Sequence, residues 1–317
     1  MIRELPDTTT GRVNRELSDM RARGGAITLG RVLTLVISTD SVDVEPAIAA
    51  ANDASSEHPC RVLVVRTHTK VGKARLDAQI RVGGDAGASD VIILVPQGEM
   101  SRHPASVVLP FLLPDAPVVT WWPDEAPDVP VQDQLGRIAQ RRITDAASAK
   151  DPIAVLTKRA AAYAPGDTDL AWTRVTSWRG LLAAALDQPP YERITRAVVE
   201  GEKSSASAEL VAAWLRRTLK TDVARTTSEG PGITSVVLER RSGPVTLTRA
   251  DGKVAVLSQV GQPDRRVALA RRPLNECLAE ELRRLDPDEM YGETLTRGLA
   301  GRPTRTRKST AGSGARR

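Results

Sequence analysis

The chain has 317 residues, of which 41% are apolar and 26% charged, so it is long enough for two domains and too apolar to be disordered throughout. Its net charge of +6 comes from the end of the sequence, because residues 302–317 hold six basic residues and no acidic ones, while the rest of the chain holds 39 of each. A neutral body excludes the basic face of a nucleic-acid-binding domain, so affinity for nucleic acid would depend on this tail alone.

The sequence also carries no sign of a membrane or an oxidising environment. No stretch approaches the ~18 apolar residues of a membrane span. The first residues include acids and a proline where a signal peptide needs an apolar run. Cys60 and Cys277 are too few and too far apart for a disulfide scaffold or a structural zinc site. We therefore expect a cytoplasmic protein with reduced thiols and no membrane partner.

The first half of the sequence alternates helical and strand patterns. A predicted helix at 8–23 precedes an apolar, β-branched run at 26–39, which is typical of a strand buried on both faces. The elements predicted after it are a helix at 41–55, strands at 61–66, 74–82 and 91–96, an apolar segment at 105–113, a strand at 117–122, a helix at 131–140 and a strand at 142–145. This alternation predicts a three-layer, Rossmann-like α/β sandwich over residues 1–150.

From residue 151 the pattern changes to helices followed by short strands. The predicted helices lie at 152–163, 170–186 and 205–219, and two further helices begin near 274 and 287. The predicted strands lie at 193–199, 233–240, 245–249, 253–260 and 266–270. The Asp251-Gly252 pair between two strand patterns is a strong hairpin signal. We expect an α+β domain over 151–300 with an antiparallel meander, followed by a disordered basic tail at 301–317.

Sequence motifs for catalysis are scarce. Gly83, Gly84 and Gly87 lack the spacing of a dinucleotide-binding fingerprint, and neither a Walker A nor a GxSxG sequence occurs. His58 lies close to Cys60 in the sequence, but a catalytic pair also needs a fixed geometry and a third group to orient it, and we expect Cys60 to enter the strand that begins at residue 61. We therefore predict no catalytic, cofactor-binding or metal-binding residues. A redox pairing of Cys60 with Cys277 would require the fold to bring the two thiols within bonding range.

Two tryptophans end a predicted strand. Trp121 and Trp122 lie at the carboxyl edge of an α/β sheet, where binding surfaces usually form. Because neighbouring strand residues point to opposite faces, one indole must be covered either by the second half of the chain or by a partner protein.

The other distinctive positions combine tryptophan with arginine. On the predicted 170–186 helix, Trp172 shares a face with Arg179, and Arg174 lies four residues before Trp178. Both spacings suit cation–π pairs, which would serve either as anchors of an interface or as packing between domains. Arg271 and Arg272 begin another helix and suit either the binding of a phosphate or carboxylate or simple solvation.

Four segments of these patterns resemble one family. They are residues 58–62 (HPCRV), 112–123 (LLPDAPVVTWWP), 169–179 (DLAWTRVTSWR) and 271–289 (RRPLNECLAEELRRLDPDE). They resemble the actinobacterial form of the glucose-6-phosphate dehydrogenase assembly proteins, OpcA. The resemblance implies an N-terminal α/β domain, a separate C-terminal domain and a role as a non-catalytic partner of that dehydrogenase. The redox control associated with the cyanobacterial branch is not carried over, since this chain has no dedicated cysteine pair.

Two functions follow as hypotheses. The leading one is an assembly factor and allosteric activator that supports NADPH production in the oxidative pentose phosphate pathway. The candidates for contact with glucose-6-phosphate dehydrogenase are Trp121, Trp122, Trp172, Arg174, Arg179, Arg271 and Arg272. The alternative is a sugar-phosphate sensor or enzyme in which an anion clamp is formed by Arg174, Arg179, Arg271 and Arg272. Under the alternative, the chain would bind a small-molecule effector.

Overall fold

The computed structural model describes residues 1–24, 32–67, 72–83 and 90–300. The predicted tail, the first part of the 26–39 pattern, His68 and most of the glycine turn lie outside these residues. Within them the strands form two sheets, one of eight strands and one of six.

The eight-stranded sheet is mostly parallel. Its strands are β1 (Ile2–Thr8), β2 (Leu33–Thr39), β3 (Cys60–Arg66), β4 (Arg75–Arg81), β5 (Asp90–Gln97), β6 (Val118–Trp121), β7 (Arg141–Thr144) and β8 (Asp167–Asp169). They lie in the order β1-β4-β5-β3-β2-β6-β7-β8, and β4 alone runs opposite to the other strands, so it pairs antiparallel with both β1 and β5. The chain reverses its direction of winding at β2, which has β3 on one side and β6 on the other. This is the switch point of a doubly wound sheet.

Helices cover both faces of this sheet. Its central strands β2, β3 and β5 are mostly apolar and almost wholly buried, as expected of strands between two helical layers. The helices α1 (Thr10–Gly24), α3 (Pro104–Val108) and α4 (Gln134–Arg137) cover one face. The helices α2 (Glu45–Ser55) and α9 (Leu274–Arg283) cover the other. The predicted three-layer, Rossmann-like α/β class is confirmed.

The six-stranded sheet is mostly antiparallel. Its strands are β9 (Arg196–Gly201), β10 (Asp222–Thr227), β11 (Ile233–Glu239), β12 (Val245–Thr248), β13 (Val254–Gln259) and β14 (Arg265–Ala268), in the order β10-β9-β11-β12-β13-β14. The predicted meander is confirmed as β11 to β14. One face packs on α7 (Thr176–Leu186) and α8 (Ala206–Leu219) through residues such as Leu182, Leu210 and Leu247.

The remaining helices are α5 (Pro152–Ala161), α6 (Leu170–Thr173) and α10 (Glu289–Glu293), which a π-helical turn continues at Thr294–Gly298. The prediction of one helix over 170–186 was wrong, because Arg174 and Val175 interrupt it between α6 and α7. The strands β1, β8 and β10 were not predicted. β8 has only three residues, and β1 and β10 are edge strands of their sheets with few buried side chains.

Segments from the second half of the chain complete the first sheet. β8 pairs with β7, and α9 packs against α2 although more than 200 residues of sequence separate the two helices. The division of the chain into units at residues 150 and 300 stays a prediction.

The apolar face of α9 should contribute strongly to stability. Leu278 is fully buried in the cluster that joins α9 to the first sheet. We expect Leu278→Ala to lower the free energy of unfolding by about 2–5 kcal/mol, because it removes buried methyl groups and leaves a cavity. The exposed Leu109→Ala should change it by less than about 0.5 kcal/mol. Urea denaturation of both variants checks this, and equal losses would contradict the packing described.

Candidate functional site

Buried ion pairs surround the ends of β7 and β8. The four pairs are Arg141 with Glu281, Arg142 with Asp167, Arg159 with Asp169, and Arg174 with Asp145, and each of these side chains is at most 10% exposed. We call these eight residues the ion-pair network. A buried charge is costly unless it is paired and hydrogen-bonded, so each pair fixes the elements that carry it.

Asp169 holds several segments of this network together. It is the N-cap of α6, where its Oδ1 accepts a hydrogen bond from the Ala171 N–H at 2.9 Å. Its Oδ2 accepts from Thr144 Oγ1 at 2.7 Å and from Arg159 Nη1 at 2.6 Å. Burial raises the pKa of Asp169, although the charge of Arg159 opposes this. Because it binds these three donors and has no exposed surface, this carboxyl group serves the fold.

The break between α6 and α7 directs Arg174 away from Trp178. Its two Nη atoms bind the two carboxylate oxygens of Asp145 at 2.7 and 2.5 Å. The predicted Arg174–Trp178 cation–π pair was therefore wrong, because a bidentate carboxylate is the stronger partner. Arg249 lies over the Trp178 ring instead, with its guanidinium carbon 5.2 Å from the ring centroid.

The Trp172–Arg179 cation–π pair is confirmed. The guanidinium carbon of Arg179 lies 3.6 Å from the Trp172 ring centroid, and burial lowers the pKa of Arg179. Trp172 is 1% exposed, and its Nε1 donates to Asp288 Oδ2 at 2.8 Å. Asp288 in turn caps α10 by accepting from the Tyr291 N–H at 2.9 Å. The pair thus joins α6, α7 and the start of α10.

The two tryptophans at the end of β6 are buried on opposite faces of the sheet. Trp121 is 0% exposed and packs in the cluster that contains Leu170 and Cys277, whereas Trp122 is 3% exposed and packs in the cluster that contains Phe111. Of the two alternatives for covering the second indole, the structure selects the rest of the chain. Partner contact by Trp121 and Trp122 stays a prediction, and their indoles offer no surface in the chain as folded.

The four arginines of the expected anion clamp do not meet. Arg174 and Arg271 line a cavity of about 160 Å³, whereas Arg179 lines a separate groove of about 800 Å³. Arg272 binds Glu280 and donates to the Thr173 carbonyl at 3.1 Å, so it joins α9 to the end of α6.

The larger groove lies beside Trp172 and Arg179, between α7, α9 and α10. We call it the α9–α10 groove, and its lining includes the buried Arg141 and Glu281 together with the exposed Arg283, Arg284, Asp286, Pro287, Glu289 and Met290. Its rim carries both signs of charge, and Met290 is 41% exposed.

Both cysteines are buried and lie in the same apolar cluster. Burial raises the pKa of Cys277 to about 11, and the nearby charges of Arg174 and Arg272 only partly oppose this. A protonated, buried thiol is a poor nucleophile. The redox pairing of Cys60 with Cys277 stays a prediction.

The ion-pair network was missed by sequence reasoning, apart from Arg174. The one available signal was the Arg141-Arg142 pair at the start of a short predicted strand, where buried arginines would require acidic partners. Among residues 1–24, 32–67, 72–83 and 90–300, no group of three or more His, Cys, Asp or Glu side chains is placed to hold a metal ion. The same residues contain no helix that is both long and apolar enough to span a membrane.

Two family models match the chain. One describes the N-terminal domain of a glucose-6-phosphate dehydrogenase subunit and matches residues 51–161, and the other describes the C-terminal domain and matches residues 165–295. The chain belongs to the OpcA family. This confirms the resemblance of the four sequence segments and associates the chain with glucose-6-phosphate dehydrogenase. No curated protein sequence matches this OpcA chain significantly.

Solved structures give only distant similarities to this OpcA chain. One is a Gfo/Idh/MocA family oxidoreductase from Vibrio cholerae, with 10% identity, 84% of this chain and 95% of that chain covered, and a TM-score of 0.42. An oxidoreductase from Sinorhizobium meliloti has 9% identity, coverages of 84% and 95%, and a TM-score of 0.44. Glucose-6-phosphate 1-dehydrogenase from Mycobacterium avium has 11% identity, coverages of 84% and 91%, and a TM-score of 0.40. These similarities are too distant to bear on function.

Breaking one pair of the ion-pair network should destabilise the protein. Glu281→Ala leaves Arg141 buried without its carboxylate, so we expect a loss of about 3–5 kcal/mol in the free energy of unfolding. Glu57→Ala is the matched control, because Glu57 forms an exposed ion pair with Arg283, which lies on the same helix as Glu281. This exposed pair should contribute less than about 1 kcal/mol to the free energy of unfolding. Denaturant titrations measure both, and a similar small loss for the two variants would refute the structural role of Glu281.

Cys277 should resist alkylation in the folded protein. With a pKa of about 11, only about one thiol in a thousand is ionised at a pH near 8. We expect iodoacetamide to label neither cysteine in native buffer and both in denaturant, as counted by intact-protein mass spectrometry. Rapid native labelling of Cys277 would show that its thiol is accessible after all.

Proposed function

We propose that this chain is a non-catalytic assembly factor and allosteric activator of glucose-6-phosphate dehydrogenase. It acts in the cytoplasm and supports NADPH production through the oxidative pentose phosphate pathway. The observation that carries the proposal is the family match, because both matched halves are described as parts of a subunit of that enzyme. The chemistry of the described residues supports it in two further ways.

The first support is the state of the acidic residues at the centre of the molecule. Asp145, Asp167, Asp169 and Glu281 each bind a buried arginine. A general base must reach the proton that it removes, and these carboxylates are instead committed to guanidinium groups inside the fold. Their arrangement therefore favours a scaffold that binds over a centre that reacts.

The second support is the α9–α10 groove, which we propose as the docking surface for the dehydrogenase. Arg284 and Glu289 give its rim both signs of charge, which favours one orientation of a partner with complementary charges. Met290 adds an exposed, adaptable apolar side chain. Trp172 and Arg179 support the groove from below by holding Asp288 and the start of α10, so these two residues would act on the partner through the groove.

Activation by docking needs only a difference in affinity. If the groove binds the active oligomer of the dehydrogenase about 100-fold more tightly than its inactive form, the equilibrium shifts by roughly 2.7 kcal/mol. Such a preference is within reach of a few well-placed contacts in one interface.

Substitutions on the groove rim should weaken activation without unfolding the chain. We expect the double variant Arg284→Glu and Met290→Ala to raise the concentration for half-maximal stimulation of the dehydrogenase about tenfold or more, because it reverses one charge and removes an apolar contact. NADPH formation, followed as the chain is titrated into purified dehydrogenase, measures this.

Arg241→Glu is the matched control, since Arg241 is exposed on the turn between β11 and β12 and lines none of the cavities described. Stimulation that survives in the groove variant would reject this docking surface. If the unmodified chain neither binds nor stimulates the dehydrogenase, the proposed function itself is rejected.

A further inference from the structure

A small cavity with an excess of positive charge lies beside Arg174, which is one residue of the ion-pair network. Its volume is about 160 Å³, and it is bounded by the break between α6 and α7, the start of α8 and the residues around β11 and β12. Arg174, Arg249 and Arg271 line it together with a single acidic residue, Glu202. Asp145 already neutralises Arg174, so two arginines without carboxylate partners face one glutamate.

Arg249 is the unusual member of this lining. It is 4% exposed, and its Nη1 donates to the Leu269 carbonyl at 2.9 Å and its Nη2 to the Ile233 carbonyl at 2.8 Å. These acceptors are neutral, its Nε has no hydrogen-bond partner, and no carboxylate of the described chain lies within ion-pair distance. The arginines of the ion-pair network each have such a carboxylate, whereas the buried charge of Arg249 has only neutral carbonyls, the Trp178 ring and the more distant charge of Asp251 to offset it.

A second cation lies close to this buried charge. Burial lowers the pKa of Arg249, and the charge of Arg271 lowers it further. Arg271 is itself exposed and forms no ion pair in the described part of the chain. Two neighbouring guanidinium groups repel each other. An anion placed between them would offset this repulsion and supply the negative partner that Arg249 lacks.

The start of α8 adds donors to the same cavity. Ser205 caps this 14-residue helix by accepting from the Ala208 N–H at 3.1 Å. The N–H groups of Ala206 and Ser207 come earlier in the first turn and have no acceptor within the helix. Both residues line the cavity, where the positive end of the helix dipole favours an anion.

We propose that this cavity binds a phosphoryl dianion, the charged end of a phosphate ester or free phosphate, through Arg249, Arg271 and the first turn of α8. The volume fits this class of ligand, since 160 Å³ is well below the ~300 Å³ at which pockets for whole small molecules usually begin. The rest of an ester would therefore lie outside, toward the exposed Arg271. The site does not depend on the docking function, because it is complete within this chain.

Calorimetric titration of the full chain alone tests the site with two probes, inorganic phosphate and glucose 6-phosphate, and with glucose as the uncharged control. We expect saturable binding of at least one phosphate probe and none of glucose. Arg271→Gln should weaken this binding about tenfold, because it removes a charge-assisted contact at an exposed position that the fold does not need. Arg266→Gln, an exposed arginine on β14 that lines none of the cavities described, is the matched control and should bind as the unmodified chain does.

The two probes also distinguish the source of the ligand. Tighter binding of glucose 6-phosphate than of inorganic phosphate would assign an ester, and equal or weaker binding would assign free phosphate. A flat titration of the unmodified chain with both probes would overturn the proposal, as would undiminished binding by Arg271→Gln.

The buried arginine provides an independent readout. We expect phosphate to raise the melting temperature of the unmodified chain and to raise that of Arg249→Gln by much less, since this variant keeps the cavity and lacks the buried charge. An equal rise in the two proteins would show that phosphate acts elsewhere, and would also overturn the site.

Discussion

The pairing of Arg141 with Glu281 determines where the last part of the chain lies. Arg141 starts β7 in the first sheet, Glu281 lies on α9, and 140 residues of sequence separate them. Thr173 Oγ1 donates to the same carboxylate, and Arg141 Nη1 donates to the Asp286 carbonyl at 2.7 Å. Because neither charge can be buried alone without a large cost, the sheet, the end of α6 and the turn after α9 must meet at one point. The α9–α10 groove exists because this point is fixed.

Charged residues therefore divide into two sets with different roles. The arginines of the ion-pair network lie inside and are matched by carboxylates, so they hold elements in place. Arg284 and Arg271 are exposed and have no such match in the described residues, which leaves them available to a protein or a small anion. The tryptophans, like the residues of the ion-pair network, hold the fold together from inside. Four of the five are buried, and the fifth, Trp214, is partly buried against the core of the second sheet.

Periodic patterns predicted most of the fold because they report which face of an element is buried. The long apolar runs of β2, β3 and β5 and the stripes of α8 and α9 are of this kind. The ion-pair network could not be predicted, since nothing in the sequence says that Arg141 meets a residue 140 positions away. Of the two predicted cation–π pairs, the one at Trp172 formed and the one at Trp178 did not. Arg179 reached Trp172 across the helix break, whereas the same break turned Arg174 toward Asp145.

The position of α9 also has a consequence for synthesis. One face of the first sheet is closed by α2, at Glu45–Ser55, and by α9, at Leu274–Arg283. A ribosome makes the chain from its N-terminus, so most of this sheet emerges well before the helix that finishes covering it. Until then the apolar side chains around Trp121 stay open to water in the nascent protein. Apolar surface exposed in this way during folding favours aggregation.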